Sequence, residues 1–179
     1  MPKKTRTRLL PATSPDARAL LEQVLDAWRI NDAVTITLLK AIPDKGLRVI
    51  PPESKGRTVA EQFMHMQRVR HTWLRHNQHP GFRKLKDFRG HKKGADIPAR
   101  ELLAAFRVSG PMVEDYLRAR LEQGKRIAFM GGKPIRWMAY MVAHESHHRG
   151  QILLALKQRG MRMPDKVALS GVWMKWYFG

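Results

Sequence analysis

"MVAHESHHRGQILLALKQRG", residues 141–160, decides how the rest of the chain is read. Met141, His144, His148, Gln151 or Ile152, and Ala155 recur at helical spacing on one stripe, with Trp137 just upstream. Residues at i and i+4 lie one above the other on a helix, with Cβ atoms roughly 5–6 Å apart. The imidazoles of His144 and His148 can therefore converge on one ion, at about 2.0–2.1 Å from each nitrogen. Both fall on the stripe expected to face a core. The competing reading is a pair of buried histidines satisfied by neighbouring groups. Each buried polar atom left unpaired costs about 1–3 kcal/mol, so two adjacent ones need an explanation, and a shared metal ion supplies one.

The same stretch contains a literal H-E-x-x-H, His144 to His148, the signature of zinc peptidases. Such a site needs a further ligand downstream, and its extended form needs Gly at 151 and His at 154. The chain has Gln151 and Leu154, and Asp165 is the only acid after residue 148. No strand-like alternation exists to hold an extended peptide. The match is read as accidental.

A third ligand is available upstream. The segment from Val59 to about Arg75 opens with Thr58 and Glu61, a capping box that satisfies free backbone donors of the first turn. Phe63, Met66, Arg70 and Trp73 form one stripe, and Gln62, His65, Val69 and Thr72 form the stripe beside it. His65 thus sits mid-helix next to a core face. Helical bundles build metal sites from side chains of different helices, so His65, His144 and His148 form a candidate three-histidine site with open positions. His71, His76, His79, His91 and His147 are expected at solvent or in loops. Asp32, Glu61 and Glu145 are candidates for carboxylates that orient the imidazoles.

Two more helices complete the set. One runs from about Pro15 to Ala41, with Ser14 as N-cap and Pro43 as its stop. Leu21, Val24, Leu25, Trp28, Thr35, Leu39 and Ile42 fall on its apolar face, which Asn31 and Asp32 interrupt midway as a polar interior requires. The other runs from near Pro98 to near Gly124, with an expected kink at Gly110-Pro111. Before it lies "HNQHPGFRKLKDFRGHKKGAD", a connection of about 20 residues, too long for a tight turn and suited to crossing over a bundle. The fourth helix starts at Pro134 and ends at Gly160, a good residue just past a helix end. Residues 161–179 are rich in aromatics and are expected to pack back on the bundle.

Composition limits the function. The chain has 179 residues, enough for one core, and a hydrophobic fraction of 43%. It has no cysteine, which excludes disulfides, protein thiolates and Cys-bound zinc. No apolar run approaches the roughly 18 residues needed to span a bilayer. Residues 1–13 read as a basic N-terminal arm of a cytoplasmic protein rather than a signal peptide, because the apolar stretch stops at Leu10. Lys and Arg number 34 against 15 acids, a net charge of +19. That field attracts nucleic acid and other polyanions, but the bases are spread out rather than gathered in one stripe. A solvated basic surface and a polyanion partner both remain open.

On "VAEQFMHMQRVRHTWL" (59–74) and "MVAHESHHRGQILLALKQRG" (141–160), the chain resembles the DinB/YfiT-like superfamily. The likeness covers roughly residues 14–160, including the order of helices and the long second connection. It implies an all-α fold: a four-helix bundle with a long crossover connection between helices two and three. It also implies a divalent metal, such as Zn, Ni, Fe or Mn, held by His65, His144 and His148. Relatives include thiol-dependent S-transferases, so a low-molecular-weight thiol is an implied cofactor, and a homodimer an implied assembly. The expected function is a metal-dependent transferase or hydrolase acting on a small anionic substrate. The alternative is a basic helical protein that binds nucleic acid or another polyanion and carries a structural or vestigial metal site.

Overall fold

The computed structural model describes residues 14–178, so the basic arm expected over residues 1–13 lies outside the described residues. The regular secondary structure of the described residues is all helical, with no strand. The elements are α1 (Pro15–Ala41), α2 (Asp44–Leu47), α3 (Val59–His76), a 3₁₀ turn (Pro80–Lys84), α4 (Ala99–Glu122), a second 3₁₀ turn (Met130–Gly132), α5 (Pro134–Gln158), a π-helix (Lys166–Trp173) and α6 (Lys175–Phe178). None of these helices is long and apolar enough to cross a membrane.

The helix ends follow from local chemistry. The Ser14 hydroxyl accepts from the Ala17 N–H at 3.1 Å. At α3 both halves of the capping box form, Glu61 N–H to Thr58 Oγ1 (3.1 Å) and Thr58 N–H to Glu61 Oε2 (2.7 Å). The end of α5 is a Schellman motif. Gly160 takes φ +72°, while the Met161 and Gly160 N–H groups donate to the Leu156 and Lys157 carbonyls. Helix α4 continues through Pro111 rather than breaking there, and the neighbouring Gly110 carbonyl accepts from Trp28 Nε1 at 2.9 Å.

The four long helices enclose two apolar clusters. One gathers Val34, Leu38 and Leu39 of α1 with Val59, Phe63 and Met66 of α3, Leu102 and Phe106 of α4, and Ile152 and Leu156 of α5. The other gathers Leu21, Leu25 and Trp28 of α1 with Leu74 of α3, Val113 and Leu117 of α4, and Trp137 and Met141 of α5. Between them, at the midpoint of each helix, lies a buried polar layer. Its centre is Arg70, whose side chain is fully buried. Arg70 donates to both oxygens of Glu145 (2.6 and 2.9 Å), to Asp32 Oδ1 (2.6 Å) and to the Ser109 hydroxyl (3.1 Å). Asn31 Nδ2 donates to Glu145 Oε2 at 2.8 Å, and the Ser109 hydroxyl donates to Gln67 Oε1 at 2.7 Å. The rings of Trp28 and Phe106 lie 4.9 and 4.7 Å from the guanidinium carbon. Every long helix contributes to this layer. It explains why Asn31 and Asp32 interrupt an apolar face: Asp32 answers the buried cation, and Asn31 the carboxylate paired with that cation.

The π-helix rests on α1 with Val172 buried, while Trp173, Tyr177 and Phe178 stay exposed. In the connection after α3, Leu85 and Phe88 are buried, and Arg68 donates to the Asp87 and Phe88 carbonyls. This return of the chain overturns one expectation. His71 is buried, not at solvent or in a loop, with its ring 5.7 Å from that of Phe82 and its Nδ1 4.0 Å from Asp87. The periodicity of α3 alone could not show that the connection covers this side.

Candidate metal centre

His65 projects from the middle of α3, and His144 and His148 from consecutive turns of α5. The structure brings the three together. Ring centroids are 5.1 Å apart for His65 and His144, 4.8 Å for His65 and His148, and 4.6 Å for His144 and His148. One nitrogen from each ring can be chosen so that no two are more than 4.8 Å apart. His65 Nε2 and His144 Nε2 are 3.1 Å apart. Two nitrogens bound to one ion at 2.0–2.1 Å lie roughly 2.9–3.4 Å apart for angles between square and tetrahedral. The closest pair already has that separation.

The rings are neutral near pH 7. Burial, followed by Arg57 and the other imidazoles, pushes His65 down to about 4. Burial, followed by His144, His147 and Arg57, pushes His148 down to about 4 as well. His144 is also lowered by burial, with Glu145 pulling against it. Neutral imidazoles keep the lone pairs that a metal needs. His148 Nδ1 lies 3.0 Å from Gln62 Oε1; an amide oxygen only accepts, so this contact puts the proton on Nδ1 and leaves Nε2 as the donor atom. The Tyr140 ring stacks on that of His144 at 5.9 Å and 23°. His144 Nδ1 is buried without a hydrogen-bond partner among the described residues.

The three carboxylates considered as orienting groups lie elsewhere. Glu61 serves its cap and accepts from the Gly94 N–H at 2.8 Å. Asp32 pairs with Arg70. Glu145 points into the polar layer. Burial opposes its charge, but Arg70, Arg149 and Asn31 hold its carboxyl below the usual range. None of the three hydrogen-bonds to an imidazole of the cluster. Two amides do, Gln62 and Gln151, both on His148, and Gln62 stands beside His65 on its stripe with no role assigned from the sequence. Its signal was its position one helical turn, at i−3, before His65 on the same stripe.

Two cavities flank the cluster. One, of about 420 Å³, is walled by His65, Arg68, Trp73, His76, Phe129 and Tyr140. The other, of about 260 Å³, is walled by Arg57, Gln62, Gln151, Leu154 and Gln158 among others. One is largely aromatic and the other mixes amide and guanidinium groups with an apolar wall, and each includes a residue of the cluster or its direct hydrogen-bond partner.

Comparison with protein families matches residues 13–175 to the model described as the DinB family. Comparison with curated proteins and with solved structures finds no match.

Proposed function

Because the chain belongs to the DinB family, we propose that His65, His144 and His148 hold a divalent metal ion and that the protein is a metal-dependent enzyme acting on a small anionic molecule. The observation that carries this reading is the convergence of three neutral, half-buried to buried imidazoles from two helices, with only His148 engaged by a fixed acceptor. Packing alone does not account for such a cluster, since His144 Nδ1 is buried without a partner among the described residues and two ring nitrogens face only each other. Three nitrogen ligands leave positions free for water or substrate.

A divalent ion there would polarise a carbonyl or lower the pKa of a bound water or thiol. The protein's own contributions can be assigned. Gln62 fixes the tautomer of His148, and Tyr140 fixes the plane of His144. Arg57 places positive charge near all three rings and, with a net charge of +19, favours an anionic substrate. Without cysteine, a thiol nucleophile must enter as a second substrate, so a thiol-dependent transfer or a hydrolysis fits the site. A peptidase does not, because the carboxylate of the H-E-x-x-H string is bound on both oxygens by Arg70 and is not available as a base.

The family's four-helix arrangement with a crossover belongs to the same reading. The first half of α3 and the first half of α4 share one apolar cluster, and their second halves share the other. That pairing is what parallel neighbours produce, and parallel neighbours need a long connection such as residues 77–98.

Elemental analysis of protein purified without a nickel column tests the proposal. One equivalent of metal per chain is expected. His65→Ala and His148→Ala should lose it while the far-ultraviolet dichroism stays helical. Unchanged metal content in His148→Ala would overturn the assignment.

A further inference from the structure

Four successive residues, Phe129 to Gly132, have positive φ: 63°, 47°, 65° and 79°. Glycine adopts such angles without steric cost, so Gly131 and Gly132 suit the turn. Phe129 does not. At φ 63°, ψ −162° it occupies a region all but reserved for glycine. Hydrogen bonds hold it there. The Ala128 N–H donates to Asn77 Oδ1 at 2.7 Å, the Gly132 N–H to the Phe129 carbonyl at 2.6 Å, and Arg126 to the Gly131 carbonyl at 2.6 Å. Burial of the ring does not explain the strain, since Phe129 is 65% exposed.

What the turn achieves is the placement of an aromatic ring. Phe129 stands edge-on to Trp73 at 5.9 Å and to His76 at 5.7 Å. Trp73 stands edge-on to Tyr140 at 5.8 Å, and Tyr140 stacks on His144. An unbroken aromatic wall thus leads from the strained turn to the histidine cluster, around the 420 Å³ cavity that His65 also lines. We propose that this cavity binds the flat aromatic or apolar part of an anionic substrate whose polar end reaches the three histidines, and that Phe129 is its specificity-determining wall. The inference rests on the metal reading above. Aromatic walls also attract cations, but Arg68 lines this one and His76 borders it, on a chain of net charge +19. A cationic ligand is therefore disfavoured.

Calorimetric binding of benzohydroxamate and acetohydroxamate to the metal-loaded protein separates the two ideas, because the probes share a metal-binding head and differ in the ring. Benzohydroxamate should bind at least about tenfold more tightly, in line with burial of one ring. Phe129→Gly should remove most of that preference, change acetohydroxamate affinity by less than about twofold, and leave metal content intact. Its Tm should hold or rise by a few degrees, because glycine accepts this φ. Equal affinity for the two probes, or a full preference retained in Phe129→Gly, would overturn the subsite alone. Protein that takes up no metal and binds neither probe would overturn the metal reading, and the subsite with it.

Discussion

Removing Arg70 is the sharpest perturbation of this fold. The guanidinium is fully buried, bound to both oxygens of a fully buried Glu145 and to Asp32, and flanked by two rings. Arg70→Met keeps much of the volume but leaves Glu145 with no cation closer than Arg149, 3.8 Å away. Breaking a buried pair in this way costs about 3–5 kcal/mol. With a urea m-value of about 2 kcal/mol/M, a loss near 4 kcal/mol moves the midpoint down by about 2 M. The double variant Arg70→Met/Glu145→Leu removes both charges, and its cost should fall well below the sum of the single costs, by about 2 kcal/mol or more. The contribution of Glu145 to the pH dependence should change sign. In the native protein Glu145 lies below the ordinary carboxylate range, so its contribution is present at neutral pH and is lost as pH falls through its folded value. Without Arg70, burial pushes the carboxyl up. Stability is then greatest below the unfolded value and declines as pH rises through the raised folded one. Asp32, already raised by its burial, shifts in the same upward direction when Arg70 is removed. Urea unfolding at a series of pH values from 7 to well below the ordinary carboxylate value of 4.5 reads all of this. A single-variant cost below about 1 kcal/mol, additive costs, or an unchanged slope would refute the reasoning.

Gln62→Leu removes the acceptor that orients His148 and should weaken metal affinity by about 10–100-fold, measured by competition with a chelator, with little change in helicity. Glycine substitutions within helices should split in sign. Gly150→Ala meets nothing within 4 Å and should stabilise by about 0.5–1 kcal/mol, whereas Gly110→Ala drives a Cβ into the Asp32 carboxylate and should destabilise by about 1–3 kcal/mol, both read by thermal unfolding.

Local chemistry is the part of this protein that was legible in its residues. A cap, a capping box or a Schellman turn involves groups within about five positions of one another, so Ser14, Thr58 with Glu61, and Gly160 mark their helix ends without reference to the rest of the chain. The pairing of His144 with His148 is equally local, because one helical turn sets it. Asn31 and Asp32 announce a polar interior but not their partners: Arg70 stands in an apolar stripe, and Glu145 stands beside the histidines, where it is expected to orient an imidazole rather than to pair with a cation. Which side chains meet across helices depends on how each helix is rotated and crossed against its neighbours, and packing of the whole core decides that. The place of His65 beside a core face made it a candidate third ligand, and tertiary structure decided that it meets the α5 pair. Tertiary structure alone turned Glu145 away from the pair toward Arg70, made Gln62 a partner of His148, and buried His71 beneath a connection that periodicity could not place. It alone also bent the chain at Phe129 into a conformation that no local preference would select.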